Sequence, residues 1–499
     1  MLLSLLMSCT LGSAPLPPGP AAPPDIVLVA VNGLRADVGE PRAEAGFLDA
    51  LATPVSARFS SAYAQSGRPH TSLGAAVTGR YPSGIPLCSP PATARPDGAR
   101  PWCVDIPTQV PTLPEVLSLY GYTTALITVN EPALGVRGVG QTFAVTGGRD
   151  PEGVWPEAAQ TAREWWTGAA DTPRLLIVVG KLNSTDLEAK GLEAYAKDAM
   201  GEEERDVFRR EHPELAARLR PEMRWPIATD AAVEEVRRAY VDAAGRVGAQ
   251  VGALLQSLPA TDARARWGVV TSLHGMSLGE FSGTPSPEQA RAGTHLVLLD
   301  RTLRVPVALL APDPPVRPTV IDTPTELVDL VPTLVALAGA VPPAGLAGRD
   351  LLSPATAQER AYAEFGDMLM VREGDLMLSF RSEIHGVTSI DPRMTERLRG
   401  SVPPDLPGYA PTPLRPPPRA SEGPPLLGQG GSYPEFRMHD VAADPMQATP
   451  LPVQGDDARF RQRAATLLQI RSGPALPPAE LMGWERVQAL RDAGALHYW

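Results

Sequence analysis

Residues 26–31 read IVLVAV, an unbroken apolar run of strand length, rich in β-branched side chains. A strand wetted on one face alternates polar and apolar residues, whereas a continuous apolar run belongs in a sheet covered on both faces, typically a parallel one. The run ends in Asn32-Gly33-Leu34-Arg35-Ala36-Asp37. Open α/β sheets bind ligands just beyond the carboxyl ends of their strands, which puts Asn32 and Gly33 at the expected site.

The downstream pattern repeats this logic. A helix is expected from Thr112 to Leu119, with Gly121 as its stop, then a strand from Thr123 to Val129. RLLIVVG (174–180), WGVVTSLHG (267–275) and VPVALLAP (305–312) read as further strands, while 230–257 and TELVDLVPTLVALAG (325–339) read as helices, the second closed by Gly339. Strands alternating with helices predict a doubly wound, mainly parallel α/β sheet. Past about residue 350 the texture changes. RAYAEF, DLMLSF and FRMHDV are short strand candidates, a Pro/Gly-rich insertion occupies 402–434, and helical stretches lie near 457–471 and 478–493. The expected organisation is a tether over 1–24, a large α/β domain over 25–350 and a smaller antiparallel α+β subdomain over 351–499.

A net charge of -11 leaves no basic footprint, so nucleic acid is not an expected partner. No stretch reaches the roughly 18 uninterrupted apolar residues of a membrane helix. The chain begins MLLSLLMSCTLGSAPLPPGPAAPP, in which Leu6-Met7-Ser8-Cys9 resembles a bacterial lipobox. That reading lipidates Cys9, makes it the only membrane attachment and exports the protein to the cell envelope; the plain alternative is an unstructured N-terminus. Cys88 and Cys103 bracket a loop rich in Pro, Ala and Arg. A disulfide between them suits an oxidising compartment, two unrelated thiols being the alternative.

Several separated segments, in order, resemble the sulfatases of the alkaline-phosphatase superfamily. IVLVAVNGLRADVG resembles their opening strand, AAVTGRYPSG the helix after their nucleophile, VPTLPEVLSLYGYTTALI the next helix and strand, and VVTSLHG their V-V-T-S-D-H-G. LRVPVALLAP, TELVDLVPTLVALAG, GLAGRDLL, FRMHDVAADP and ERVQALRDAGAL match the later parts. The resemblance implies a sulfatase-type fold. It also implies a divalent cation, usually Ca²⁺, held by carboxylates, and a Cys or Ser nucleophile matured to formylglycine.

Residue by residue, that chemistry is missing. Asn32 stands where the first cation-binding Asp belongs, and Gly33 where a second often stands. Leu273 replaces the Asp beside His274. The nucleophile position falls on Pro69, and Leu73 stands where the anion-binding Arg belongs. Thr71 and Ser72 are displaced-nucleophile candidates, with N-capping of a helix starting near Leu73 as the alternative. The stretch Ile127-Thr128-Val129-Asn130-Glu131-Pro132 replaces the family's G-K-W-H, and Lys181 with Asn183 replaces a substrate-facing His. Arg68 and Lys181 are anion-binding candidates, and His70 and His274 the remaining acid–base candidates. Asn32, through its amide oxygen, and His274 are the weak metal candidates, with His70 and His274 forming at most a weak Zn²⁺ pair; His295 lies where relatives place a His near the site. Arg35, Asp37 and Arg80 read mainly as structural.

Two functions follow. One is a pseudo-sulfatase that retains the fold as an envelope binding module, with no cofactor, for a small anionic ester or envelope component. The other is a sulfuric or phosphoric ester hydrolase with a remodelled site that uses Ca²⁺ or Mg²⁺.

Overall fold

The structure is a computed structural model, and its described residues are 22–38, 46–85, 106, 110–131, 134–146, 151–182, 230–260, 264–278, 298–315, 317–353, 360–365, 368–381, 436–444 and single positions between 447 and 470. In chain order, β1 (Asp25–Asn32) leads through α1 (Phe47–Ala50), β2 (Ala57–Phe59) and β3 (Ala62–Tyr63) to α2 (Pro69–Thr78). Next come α3 (Leu113–Leu119), β4 (Thr123–Val129), β5 (Gln141–Val145), α4 (Pro151–Gly168) and β6 (Arg174–Lys181). After these follow α5 (Asp230–Gln256), β7 (Arg266–Thr271), α6 (Asp300–Leu303), β8 (Val307–Leu310), β9 (Thr319–Ile321), β10 (Thr325–Glu326) and α7 (Leu330–Leu337).

The large sheet has the order β5-β4-β6-β1-β7-β8-β2-β9. Its pairings are parallel except those of β8, which runs antiparallel to both β7 and β2. IVLVAV is buried on both faces, as its composition requires, and its residues divide by parity between two cores. Ile26, Leu28 and Ala30 pack with Leu73 and Val77 of α2, Val116 and Leu117 of α3 and Leu334 of α7. Val27, Val29 and Val31 pack with Trp166 of α4, Val251 of α5 and Phe47 of α1. The sheet is thus doubly wound, with β1 at its centre.

Three sequence-based boundaries move. The strand over 267–275 stops at Thr271, because Ser272 Oγ donates to the His274 carbonyl at 2.6 Å and the Gly33 N–H donates to the same oxygen at 2.9 Å, drawing the chain off the ladder. The helix expected from 325 starts at Leu330: Thr325 and Glu326 pair with β3, and the Asp329 carboxylate accepts the Glu326 N–H at 2.8 Å across a 3₁₀ turn. VPVALLAP contributes only four residues of strand. Gly339, at φ +67, closes α7 as expected.

The smaller sheet consists of β11 (Arg360–Phe365), β12 (Met368–Glu373), β13 (Leu376–Arg381) and β14 (Phe436–Asp440), all antiparallel. Its inner residues Ala361, Met370 and Met377 pack against Tyr63 and Leu303 of the large domain. Tyr63 Oη and Arg372 Nη1 both donate to Asp300 Oδ1, at 2.6 and 3.0 Å, tying the smaller sheet to the large domain across that contact. The 402–434 insertion, the 478–493 stretch and most of 457–471 lie outside the described residues. Among the described residues no helix is long and apolar enough to cross a membrane.

Candidate active-site crevice

The parity that buries Ile26, Leu28 and Ala30 against α2 carries Asn32 to the same face of the sheet, and Leu175, Ile177 and Val179 carry Lys181 there as well. Asn32 and Lys181 are register partners on β1 and β6. Asn32 is buried and Lys181 half-buried. Just beyond, Gly33 turns the chain at φ +90, a conformation that costs L side chains energy. Its N–H donates to the His274 carbonyl, and its own carbonyl accepts from Tyr240 Oη at 2.6 Å. The carboxyl end of β1 is thereby clamped to the loop after β7. A Cβ built on Gly33 would overlap the Met276 methyl, so a side chain there requires the end of that methionine to move.

Helix α2 forms the opposite wall. It starts at Pro69, whose missing N–H costs nothing at a first helical position. Arg68 occupies the N-cap with no side-chain cap bond, so Thr71 and Ser72 sit inside the first turn and do not cap a helix beginning near Leu73. Ser72 is fully buried, and its Oγ donates to the Ser66 carbonyl at 2.7 Å. Thr71 is half-buried, while His70 and Arg68 are buried. Burial lowers the Arg68 guanidinium to about 10. Leu73 and Leu273 are 2% and 1% exposed and belong to one apolar cluster with Leu28 and Ala30. His274 Nδ1 donates to the Gly275 carbonyl at 2.8 Å, which leaves Nε2 as the basic nitrogen of the ring.

The residue that sequence reasoning missed is Glu131. It follows β4 by two positions, after Asn130 in the left-handed region at φ +56. Its Oε1 accepts from Asn32 Nδ2 at 3.3 Å, and it is 3% exposed. Burial pushes its carboxyl up to about 7, against the lowering effects of the nearby Lys181 charge and the Asn32 hydrogen bond. Two of the oxygens here, Asn32 Oδ1 and Glu131 Oε2, are buried without a hydrogen-bond partner. The signal was present in the sequence, a carboxylate two residues after a buried strand, in a stretch where the resemblance places a Lys and a His.

Arg35 and Asp37 form a two-pronged ion pair, with Nε–Oδ1 at 2.9 Å and Nη2–Oδ2 at 2.6 Å. Arg80 Nη2 donates to the Ala344 carbonyl at 2.8 Å. These three residues have the structural contacts expected of them. Cys9, Cys88, Cys103, Asn183 and His295 lie outside the described residues. Among the described residues no three of His, Cys, Asp and Glu converge as a metal site.

No protein-family model matches the chain, and no curated protein matches its sequence. Solved structures match over nearly its whole length. The phosphonate monoester hydrolase of Agrobacterium radiobacter superposes with a TM-score of 0.59 at 16% identity, covering 90% of this chain and 95% of that one. A 2-O GAG sulfatase gives 0.55 at 15% identity over 91% and 95%, and a protein solved with its substrate D-glucosamine-2-N,6-O-disulfate gives 0.56 at 13% identity over 90% and 97%. The chain has the sulfatase fold. Within that fold, Asn32, Glu131 and Lys181 stand together at the carboxyl end of the large sheet, while Arg68, His70, Thr71 and Ser72 line the start of α2.

Proposed function

We propose that this protein keeps the sulfatase fold as a binding module of the cell envelope, with little or no ester hydrolysis. The observation that carries the reading is the burial of Leu73 and Leu273 in one apolar cluster, at the positions where the resemblance puts an anion-binding arginine and a cation-binding aspartate. Pro69, at the nucleophile position, has no nucleophilic side chain.

A hard divalent cation takes about six to eight oxygen ligands, rich in carboxylate. Asn32 Oδ1 and Glu131 Oε2 are a pair of unpartnered oxygens, but they include a single carboxyl, which stands in the field of Lys181. Gly33 itself offers no side chain as a ligand, and any group placed beside it would have to displace the Met276 methyl. These residues do not fit Ca²⁺ or Mg²⁺. Arg68 and Lys181 remain to hold a small anionic ester or an anionic envelope component, and a lipid on Cys9 would anchor the module.

The second reading, a sulfuric or phosphoric ester hydrolase using Thr71, His70 and His274, gains one feature: the Glu131 carboxyl at the same end of the sheet. Ser72 leaves that set because its hydroxyl is committed to Ser66. Purified protein assayed with aryl sulfate and aryl phosphate esters in Ca²⁺ or Mg²⁺ should give no turnover. Metal-dependent turnover lost in His274→Ala would overturn the binding-module reading.

A further inference from the structure

The strand order β4-β6-β1 sets three side chains next to one another: Glu131 beyond β4, Lys181 at the end of β6 and Asn32 at the end of β1. Asn32 and Lys181 are register partners on parallel strands and leave the sheet on the same face. Glu131 reaches Asn32 across the end of the intervening strand, so its hydrogen bond to the Asn32 amide passes beside Lys181. A half-buried amine, a buried carboxamide and a buried acid therefore meet at one end of the sheet.

A second observation concerns the same groups. Asn32 Oδ1 and Glu131 Oε2 are both buried without a partner, an arrangement that is costly if it persists. A proton on Oε2 directed at Oδ1 would satisfy both oxygens and draw electrons from the Asn32 side-chain carbon. That polarisation is what attack by an amine requires.

We propose that Lys181 and Asn32 become joined by an intramolecular isopeptide bond, with Glu131 as the proton carrier. Glu131 takes a proton from the Lys181 ammonium and leaves a neutral amine. Lys181 Nζ attacks Asn32 Cγ while the Glu131 carboxyl donates to Oδ1. The Cγ–Nδ2 bond then breaks as a proton passes to the departing nitrogen. One C–N bond forms and one breaks: the attacking amine gives up one further N–H proton, which converts the departing NH2 into ammonia, the proton lent to Oδ1 returns to Glu131 as the carbonyl re-forms, and no oxidant is consumed. Burial raises the Glu131 carboxyl to about 7, which suits it to accept and return a proton. The product would staple β1 to β6 at the crevice and consume the Lys181 charge, leaving Arg68 to hold an anion in the joined molecules, whether or not the crevice hydrolyses anything.

The test is peptide mapping of the purified full chain by mass spectrometry after denaturation and reduction. The expected result is a branched species joining the Asn32 and Lys181 peptides, lighter than their sum by one ammonia. Separate peptides at full sequence mass overturn the proposal. So does an Asn32 peptide that has lost ammonia but remains unbranched, because that is a cyclic imide at Asn32-Gly33. Lys181→Arg and Glu131→Gln should each abolish the branched species, and its persistence in Glu131→Gln overturns the role of Glu131. If neither variant folds, the map of the unaltered chain still decides.

Discussion

Leu273→Asp restores by substitution the carboxylate that the resemblance places beside His274. Leu273 is 1% exposed and packs with Leu28, Ala30, Leu73 and Val269. Removing a buried leucine side chain costs about 2–5 kcal/mol. A buried charge left without a partner costs a further ~3–5 kcal/mol. Set against a typical domain stability of roughly 5–15 kcal/mol, the sum removes most of it. The pH dependence separates the two parts. Burial raises the folded pKa of the introduced carboxyl above its unfolded value of about 3.9, so its charge penalty is absent below that value and grows as pH rises towards the folded pKa. Urea unfolding of Leu273→Asp and Leu273→Ala should therefore give similar stabilities near pH 4 and a widening deficit for the aspartate towards pH 8. Added Ca²⁺ should not close the gap. An aspartate variant matching the alanine variant at pH 8, or rescued by millimolar Ca²⁺, would refute the claim that this position is apolar core.

Two further perturbations probe the same region and the joint between the sheets. Gly33→Ala should cost about 1–3 kcal/mol from positive φ, with the Met276 overlap adding to it; Gly33→Ala combined with Met276→Ala should cost less than the sum of the singles in thermal denaturation. Burial pushes the Asp300 carboxyl up to about 6, against Arg304 and Arg301. A raised folded pKa means this group contributes falling stability as pH climbs from about 4 to 6, so Asp300→Asn should make that slope more positive in a series of urea melts.

The large sheet was legible because its strands are written as continuous apolar runs, and a run such as IVLVAV has few other homes. The boundaries that moved did so for reasons outside local pattern. Thr271 ends β7 because Gly33 and Ser272, one of them distant in sequence, compete for the His274 carbonyl. Glu326 leaves the helical pattern because β3 supplies a strand to pair with. Ser72 looked like a cap because serine caps helices, but Pro69 had already started α2. At the crevice, the resemblance alone set Leu73 and Leu273 at the positions of the missing arginine and aspartate. That they meet in one core, and that Met276 fills the space beside Gly33, depends on packing between elements far apart in the chain. Glu131 was hidden for a similar reason: its importance comes from Asn32, which is 99 residues away.

Under the binding-module proposal the crevice holds no cation, and calorimetric titration of the purified full chain with Ca²⁺ and with Mg²⁺ tests that most directly. The expected result is no saturable heat for either ion, unchanged in Asn32→Ala. Saturable binding that disappears in Asn32→Ala or in Glu131→Gln would contradict it.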